Sequence, residues 1–453
     1  MSRLVRVRRT ARVWRLTARN AGRYAAHRVR RTTAGAERRE QLEQQFTIRT
    51  ATDVARELGQ MKGAMMKVGQ MLGFILESLP EDAQTALATL QADAPPMAPS
   101  LAEQVVRDEL GDHPDHLFLD WGAAPIAAAS IGQVHRAVLR DGRIVAVKVQ
   151  YPGVGDAIGA DLDNAELLYA MFSAFALKGL DTKALVDELR ARMIEELDYR
   201  REAENLTLFS EHYAGHPWVR TPVLVPEFST GKVLTTEWID GMSWADFVVQ
   251  ATPAAKRRAG EIIWRFTQAS VHRLRSFNGD PHPGNYRFAA DGSVTFLDFG
   301  MVKRWAPGEW ERLEPCVDAI LAGDPAQLIR AMEDVEFLPP GLDLDAQSVY
   351  DYVSTPYRPY LVDEFRFTRD FVRDTITRII DVKGPHAEAI KRLNLPASFV
   401  ILDRVVWGVS ALLGKLEIEA PWRSMLLGYQ RGDASGTPLG DEEQAWWVAR
   451  RPR

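Results

Sequence analysis

The chain has 453 residues, of which 46% are hydrophobic and 26% are charged, a composition typical of a folded globular protein. This length exceeds what one ordinary core supports, so we expect several packed units, or one two-lobed domain with an extension. The single cysteine, Cys316, excludes an internal disulfide, and no Cys/His spacing typical of a zinc site surrounds it. We therefore expect an intracellular protein without structural zinc.

Positive charge is concentrated at the N-terminus. Residues 1–36 contain eleven arginines and no acidic residue, so the net charge of -5 for the whole chain leaves -16 for residues 37–453. Apolar residues that include Trp14 recur there at helical spacing, which is typical of an interfacial helix on anionic lipid. A solvated basic arm and an organellar transit peptide fit the same pattern. The acidic remainder of the chain, which shows no recognition motif, argues against binding to nucleic acid.

No stretch reaches the roughly 18 uninterrupted apolar residues that a membrane-spanning helix needs. The best candidate, Phe399 to Leu416, is interrupted by Asp403, Arg404 and Lys415. We therefore predict no transmembrane helix, and we expect a cytoplasmic protein with at most peripheral contact on the inner face of a membrane.

The predicted elements follow one another without internal repeats. Residues 37–100 are predicted to be a helical extension that ends in the Pro-rich linker Asp93 to Pro99. A hairpin is predicted around the Asp141-Gly142 turn, and the chain is expected to be mainly helical from Ala245 onward, except around residues 280–299. The other predicted elements are strands at Val134 to Leu139, Ile144 to Gln150, Leu224 to Phe228 and Lys232 to Glu237, and a helix from Thr182 to about His212.

Lys148 lies within the apolar second strand of the predicted hairpin, where a charged ammonium group is costly unless an acid pairs with it. The predicted helix that follows carries Glu195, Asp198 and Glu202 at helical spacing on one face. Kinases hold ATP phosphates with such a strand lysine and helix glutamate. An edge-strand lysine whose ammonium group reaches solvent fits the lysine and helix equally well when they are considered alone.

A loop rich in proline and glycine, Asn278 to Asn285, places Asp280 five residues before Asn285, and Asp298-Phe299-Gly300 begins thirteen residues after Asn285. Phosphoryl transfer needs a carboxylate near the acceptor and oxygen ligands that hold Mg²⁺ on the phosphates. Asp280, Asn285 and Asp298 supply these groups. Their order downstream of Lys148 predicts a site for ATP and Mg²⁺.

The segment before the hairpin carries alanines where kinases carry a Gly-rich phosphate loop. No G-x-G-x-x-G is present, and alanine adopts positive φ less freely than glycine. We therefore expect a stiffer loop that approaches phosphates differently. This segment consists of Ala127, Ala128, Ala129 and Ser130.

These motifs, in this order, resemble the UbiB (AarF-like) family of atypical kinase-like proteins, over about residues 55 to at least 305. The most distinctive of them is Lys67-Val68-Gly69-Gln70, which is similar to the K-x-G-Q motif of that family's helical extension. Glu196-Leu197-Asp198 resembles its E-x-D motif, and the alanine run resembles its substitute for the Gly-rich loop. Gly73 stands where the family often has serine.

The resemblance implies an α+β, two-lobed protein-kinase-like fold with a helical N-terminal extension and a mainly helical C-lobe. In these terms Asp280 and Lys148 are catalytic, and Asn285 and Asp298 bind Mg²⁺. The nucleotide-binding residues would be Ala127, Ala128, Ala129, Ser130, Lys148, Glu202 and Glu237. The predicted segments are a basic arm (1–36), the extension (37–100), the N-lobe (101–240), the C-lobe (241–430) and a C-terminal tail (431–453).

The resemblance also implies that Lys67 and Gln70 meet Glu196 and Asp198 and cover the place where a peptide substrate would lie. The expected function is that of an atypical kinase or ATPase that supports quinone or isoprenoid-lipid metabolism. Its expected acceptor is water or a small lipid-related molecule such as a quinone precursor. Its expected partners are an anionic membrane surface and a complex of lipid-pathway enzymes.

Two other functions fit the sequence. A small-molecule phosphotransferase of the aminoglycoside or choline kinase type shares the lysine and the acids, but it requires neither the Lys67 motif nor the alanine run. A nucleotide-sensing scaffold would bind ATP without turnover. Asp280, Asn285 and Asp298 together favour retained catalysis over a scaffold, because ATP binding alone does not need all three.

Overall fold

The computed structural model of the chain describes residues 97–129, 131–156, 194–380, 384–394 and 397–450. The basic arm, the extension with Lys67 and Gln70, and Ser130 lie outside these residues. The chain divides into two compact units, which are residues 1–97, 128–132 and 151–194, and residues 98–127, 133–150 and 195–453. In the first unit the amide of Tyr151 donates a hydrogen bond to the carbonyl of Ile131 at 2.8 Å. The site described below is built from the second unit.

The strands of the described residues are β1 (Asp120–Trp121), β2 (Ala127–Ala129), β3 (Gly132–Val138), β4 (Ile144–Gln150), β5 (Val219–Arg220), β6 (Val233–Glu237), β7 (Ser276–Asn278), β8 (Tyr286–Phe288), β9 (Val294–Phe296), β10 (Val302–Arg304), β11 (Phe365–Arg366) and β12 (Glu419–Ala420). The helices are α1 (Pro99–Leu110), α2 (Pro114–Leu117), α3 (Tyr199–His212), α4 (Trp244–Gln250), α5 (Pro253–Ala269), α6 (Glu309–Ala322), α7 (Pro325–Asp334), α8 (Ala346–Val353), α9 (Arg369–Ile380), α10 (Ala387–Arg392), α11 (Ala397–Leu416), α12 (Trp422–Gln430) and α13 (Pro438–Arg450).

A sheet with the strand order β1-β3-β4-β6 positions Lys148. Strand β4 alternates, so that Val145, Val147 and Val149 are buried on one face while Lys148 projects from the other. The antiparallel register places Lys148 opposite Leu234. The predicted hairpin is confirmed, and its turn contains Gly142 at φ +89°, a conformation that glycine adopts without steric cost.

The predicted unbroken helix from Thr182 to His212 is wrong within the described residues, because the chain leaves the helix at Leu197 and Asp198. Asp198 has φ -118° and ψ 101°, and its side chain accepts a hydrogen bond from the amide of Arg200 at the start of α3. An aspartate that caps a helix in this way cannot also continue the preceding one. Asp198 and Glu202 therefore do not share one continuous helical face.

The predicted strand from Leu224 to Phe228 is also wrong. Leu224 forms only an isolated bridge with Thr236, and Pro226–Phe228 is a 3₁₀ turn. Pro226 has no amide hydrogen to donate to a sheet, which accounts for the early end of the pairing. The neighbouring prediction at Lys232 to Glu237 is confirmed by β6.

Short strands in the helical part of the second unit hold the two acidic loops. Strand β10 pairs with β7, and β9 pairs with β8, both antiparallel. The Asp280 loop runs from β7 to β8, while Asp298 lies between β9 and β10. Helix α5 packs behind them, where the rings of Phe266 and Phe296 stack with centroids 3.7 Å apart. The predicted mainly helical region after Ala245, interrupted by this segment, is confirmed.

Helix α11 contains the whole apolar stretch, Phe399 to Leu416, that the sequence analysis gave as the best candidate for a membrane-spanning helix. Within the described ranges, no helix combines the length and the apolar character that crossing a membrane requires.

The C-terminal tail, for which the sequence predicted no role, packs against the end of α3. The Arg450 guanidinium donates a hydrogen bond to the carbonyl of Ala214 at 2.7 Å and lies over the ring of Trp446. The indole of Trp218 donates to the carbonyl of Leu439 at 3.2 Å. Helix α13 therefore supports the end of α3 that is farther from Glu202.

Candidate functional site

Three separate segments bring an ammonium group and two carboxylates together. Lys148 on β4 donates to both carboxylate oxygens of Glu202, at 3.0 and 2.8 Å, and its Nζ lies 3.5 Å from Oδ2 of Asp298. Glu202 comes from the first turn of α3. The Lys148 and Glu202 side chains are only 14% and 6% exposed, whereas Asp298 is 33% exposed. Asp298 is thus the member of the triad that is most open to a ligand.

Burial and charge act against each other in this triad. Burial opposes the charge of Lys148, but the carboxylates of Asp298 and Glu202 outweigh it and raise the pKa of its ammonium group well above the ordinary value. Burial raises the pKa of Glu202 to about 7, although Lys148 acts in the opposite direction. Tyr199 places its ring 5.0 Å from Nζ, a distance that allows a cation–π contact. The triad therefore concentrates charge where little water is available to screen it.

Hydrogen bonds from two asparagines fix the Asp280 loop beside Asp298. Asn278 donates to the carbonyl of Asp298 at 2.6 Å and accepts from the amide of Asp280 at 2.9 Å. Asn285 donates its amide group to the carbonyl of Asp280 at 3.2 Å. The backbone of Gly300 donates to Oδ1 of Asp298 at 2.9 Å. The structure thus brings Asp280, Asn285 and Asp298 into one linked set of loops.

Arg404 belongs to this site, and the sequence analysis did not assign it there. Its Nη2 lies 2.6 Å from Oδ1 of Asp280, and both side chains are 8% exposed. Arg404 lies on α11, 124 residues from Asp280 in the sequence. The sequence signal for this role is a charged residue in the middle of the apolar stretch Phe399 to Leu416, where a charge is costly unless an acid pairs with it.

Helix α11 reaches the Asp280 loop because glycines lie at their contact. A Cβ at Gly408 would lie 2.2 Å from Cγ of Pro281, and a Cβ at Gly279 would lie 3.0 Å from the Ile401 side chain. The Pro281 ring has little freedom to move away. Side chains larger than hydrogen are therefore excluded at Gly408 unless the loop shifts.

Gly408→Ala is expected to destabilise the protein by about 1–3 kcal/mol, because the added methyl group overpacks this contact. Gly428→Ala is the matched control on α12, since its Cβ would meet nothing closer than 3.4 Å. Removing a glycine from a helix there should stabilise by about 0.5–1 kcal/mol. Urea unfolding of both variants measures the two changes, and equal stability of the two would contradict the close α11 contact.

The Glu196–Asp198 segment lies near this centre. Gln150, next to the lysine strand, donates to the carbonyl of Leu197 at 3.0 Å and so attaches the Glu196–Asp198 segment to β4. The charge of Glu196 also raises the pKa of Glu202, but less than burial and Asp298 do. Asp198 serves as the N-cap of α3. Whether these acids meet Lys67 and Gln70 stays a prediction.

The described candidates for nucleotide binding outside the triad lie in strands β2 and β6. The described alanines of the run form β2, Ala127–Ala129. The Glu237 side chain accepts a hydrogen bond from the amide of Val223 at 3.3 Å, at the end of β6. Their contact with a nucleotide stays a prediction.

Comparison with known proteins identifies the family of the chain. Residues 89–332 match the ABC1 atypical kinase-like domain. The chain is 35% identical over 249 residues to ACTIVITY OF BC1 COMPLEX KINASE 1 (chloroplastic) of Arabidopsis thaliana, covering 53% of this chain and 36% of the relative. It is 31% identical over 298 residues to the mitochondrial atypical kinase coq-8 of Caenorhabditis elegans, covering 64% and 39%. The chain spans about a third to just over half of the curated relatives it matches.

A solved structure is similar over a larger share. The Rv3197 protein of Mycobacterium tuberculosis, determined as a complex with erythromycin, is 31% identical with a TM-score of 0.61. The match covers 84% of this chain and 95% of that structure. The predicted α+β kinase-like fold and the resemblance to the UbiB (AarF-like) family are thereby confirmed. The chain belongs to the ABC1 atypical kinase-like family.

Proposed function

We propose that this chain binds ATP with Mg²⁺ and acts as an atypical kinase or ATPase of the UbiB type. The observation that carries the proposal is the position of Lys148, 2.8 Å from Glu202 and 3.5 Å from Asp298. A buried lysine shared by two carboxylates from different segments is expensive as a purely structural device. Nucleotide phosphates would pair with the ammonium group of Lys148, and Mg²⁺ would pair with the carboxylate of Asp298.

The side chains present fit both ligands. Mg²⁺ prefers oxygen donors and is usually bound by one or two protein groups together with substrate phosphates. Asp298 supplies a carboxylate, and Asn285 supplies an amide oxygen because its amide nitrogen is the end that contacts the Asp280 loop. Bound Mg²⁺ would neutralise charge on the phosphates. Lys148 would hold the phosphates, and Glu202 would hold Lys148.

Asp280 is the group proposed to orient the acceptor hydroxyl and to accept its proton. It lies on the same linked loops as Asn285 and Asp298, so an acceptor beside it would be near the transferred phosphoryl group. General-base assistance of this kind contributes roughly 10²–10⁴ to the rate.

The proposed role is support of quinone or isoprenoid-lipid metabolism at a membrane surface. The names of coq-8 and of the BC1 complex kinases among the relatives are in keeping with this role. The erythromycin complex of the mycobacterial relative is in keeping with a small-molecule ligand rather than a peptide. We further propose that the basic arm, residues 1–36, contacts anionic lipid.

The experiment is ADP release by the full chain with Mg·ATP, alone, with anionic liposomes and with a quinone-precursor phenol. Asp280→Asn is expected to bind Mg·ATP within about 3-fold of wild type, while turnover falls by roughly 10²-fold or more. Asp291→Asn is the control, because its carboxylate closes the β8–β9 turn by accepting from Ser293 and does not belong to the linked loops of the site.

The outcomes separate the alternatives. Turnover that rises with lipid or phenol supports a lipid-pathway enzyme. Undiminished turnover in Asp280→Asn removes that residue from the reaction. Tight nucleotide binding without ADP release under any condition would leave the nucleotide-sensing scaffold as the better description.

A further inference from the structure

We propose that Arg404 is a positioning residue for phosphoryl transfer and that α11 forms part of the active site by holding Asp280. This inference rests on the proposed role of Asp280. It concerns a residue outside positions 89–332, which match the family domain. The structural feature behind it is a buried ion pair between a loop carboxylate and a guanidinium from a helix late in the chain.

The ion pair is geometrically constrained from both sides. Nη2 of Arg404 lies 2.6 Å from Oδ1 of Asp280, and Nη1 lies 3.5 Å from the sulfur of Met301. The backbone of Met301 in turn accepts a hydrogen bond from Gly279 at 2.7 Å. The guanidinium therefore contacts both the Asp280 loop and the segment that follows Asp298. It can fix the orientation of the carboxylate relative to both.

Stability alone is a poor reason for this arrangement. A buried ion pair commonly contributes no more to stability than apolar residues of the same volume, because both charges lose hydration. Helix α11 also lies so close to the loop that Pro281 leaves no room for a side chain at Gly408. A helix in such contact could have covered the loop with apolar groups. The guanidinium instead keeps one carboxylate oxygen in a charge-assisted hydrogen bond.

The two cations of the site thereby have separate tasks. Lys148 is paired with Glu202 and Asp298, where the phosphates are proposed to bind. Arg404 is paired with Asp280, where the acceptor is proposed to bind. Loss of Arg404 should therefore affect the chemical step more than nucleotide affinity, since a displacement of about 1 Å in a reacting group costs on the order of 10²-fold in rate.

The test measures ADP release, Mg·ATP affinity and Tm for the full chain. Arg404→Met is expected to lower kcat by roughly 100-fold while the KM for ATP stays within about 3-fold. Arg404→Lys should lose only about 10-fold, because lysine keeps the charge but not the fork geometry. Arg423→Met is the control, since Arg423 bonds to the carbonyls of Tyr360 and Leu321 away from the loop. It should keep the wild-type kcat.

A double-mutant cycle separates positioning from folding. Adding Arg404→Met to Asp280→Asn should change kcat by less than about 3-fold and raise Tm above that of Asp280→Asn alone, because the unpaired buried cation is removed. The inference would be overturned if Arg404→Met lowered kcat by the full 100-fold both in the wild-type chain and in Asp280→Asn. A wild-type kcat in the single variant Arg404→Met would also overturn it. If Arg404→Met does not fold, Arg404→Lys decides, and an unchanged kcat there overturns the inference.

The two proposals fail differently. A wild-type chain without ADP release overturns the proposed turnover, and the positioning role with it. A wild-type chain that releases ADP while Arg404→Met is unimpaired overturns only the role of Arg404.

Discussion

Lys148→Met is expected to lower the affinity for Mg·ATP by roughly 100-fold. Its ammonium group would pair with the nucleotide phosphates, and truncating one member of a buried charge pair across a binding interface costs about 2–5 kcal/mol of binding free energy. Without the ammonium group, the phosphates would approach the Glu202 carboxylate with no cation between them. Burial and the charge of Asp298 would then favour protonated Glu202, since burial already raises its pKa to about 7. Isothermal titration with Mg·ATP measures the loss directly.

Two further variants separate loss of the site from loss of the fold. Lys232→Met removes another lysine of the second unit that is paired with a glutamate, Glu109, at 3.0 Å, but the Lys232 side chain is exposed and the pair joins other elements. It should leave Mg·ATP affinity unchanged. The double variant Lys148→Met/Glu202→Gln removes both charges of the more buried pair and should regain stability without regaining affinity. Wild-type affinity in Lys148→Met would disprove the assigned site.

His216→Asn is expected to make the protein less sensitive to acid. Burial, aided by the charges of His212, Arg273 and Arg450, lowers the pKa of His216 to about 3. Nε2 of His216 lies 4.0 Å from Oε1 of Glu443, but burial also raises the pKa of that carboxyl group, which weakens it as a counter-charge in acid. In the unfolded chain the histidine has a pKa of about 6.5, so below that pH the unfolded chain binds a proton that the folded chain does not bind. This histidine therefore lowers the free energy of unfolding as pH falls toward 3. The cost is about 1.4 kcal/mol per pH unit. It is absent above pH 6.5, where both states are neutral.

The measurement is urea unfolding of variant and wild type between pH 7.5 and 4.5. Asparagine can still accept from the amides of Trp218 and Val219, which now bond to Nδ1 of His216. At pH 7.5 the variant should be less stable, because it loses the ring contacts with Trp218 and Trp446. That deficit should shrink by roughly 2.7 kcal/mol at pH 4.5. A deficit that does not change with pH would contradict a buried neutral histidine.

The control for the acid experiment is His116→Asn, because the side chain of His116 is 71% exposed. The pair that His116 forms with Asp112 at 2.9 Å is exposed and contributes little to stability, so this variant should depart from the wild-type dependence of unfolding free energy on pH far less than His216→Asn does.

Those parts of the fold and site that follow from local pattern were predictable. The alternation of valines around Lys148 gives β4, and an isolated ammonium group on that strand demands an acid, which Glu202 supplies. The loop residues Asp280, Asn285 and Asp298 were recognisable because their order and spacing match a known chemical requirement. Each of these inferences needs only sequence neighbours or a known motif.

The parts that failed depend on competition between local and distant interactions. The helix breaks at Asp198 because its side chain accepts a hydrogen bond from the backbone amide of Arg200. The helical spacing of apolar residues does not predict this bond. Arg404 pairs with Asp280 across 124 residues, and no pattern near either residue specifies the other. The packing of α13 on the end of α3 likewise becomes visible only in three dimensions.

The positions of α11 and α13 late in the chain have a consequence for biosynthesis. Proteins are made from the N-terminus, and early segments fold while later ones are still being added. Asp280 emerges long before Arg404, and α3 emerges long before Arg450. A nascent chain therefore carries Asp280 without its cationic partner until α11 has been synthesised, and α3 without its terminal support until α13 has been synthesised. Under the proposed roles, chains that end before Arg404 would be impaired in turnover more than in nucleotide binding, because the Lys148 triad precedes that residue.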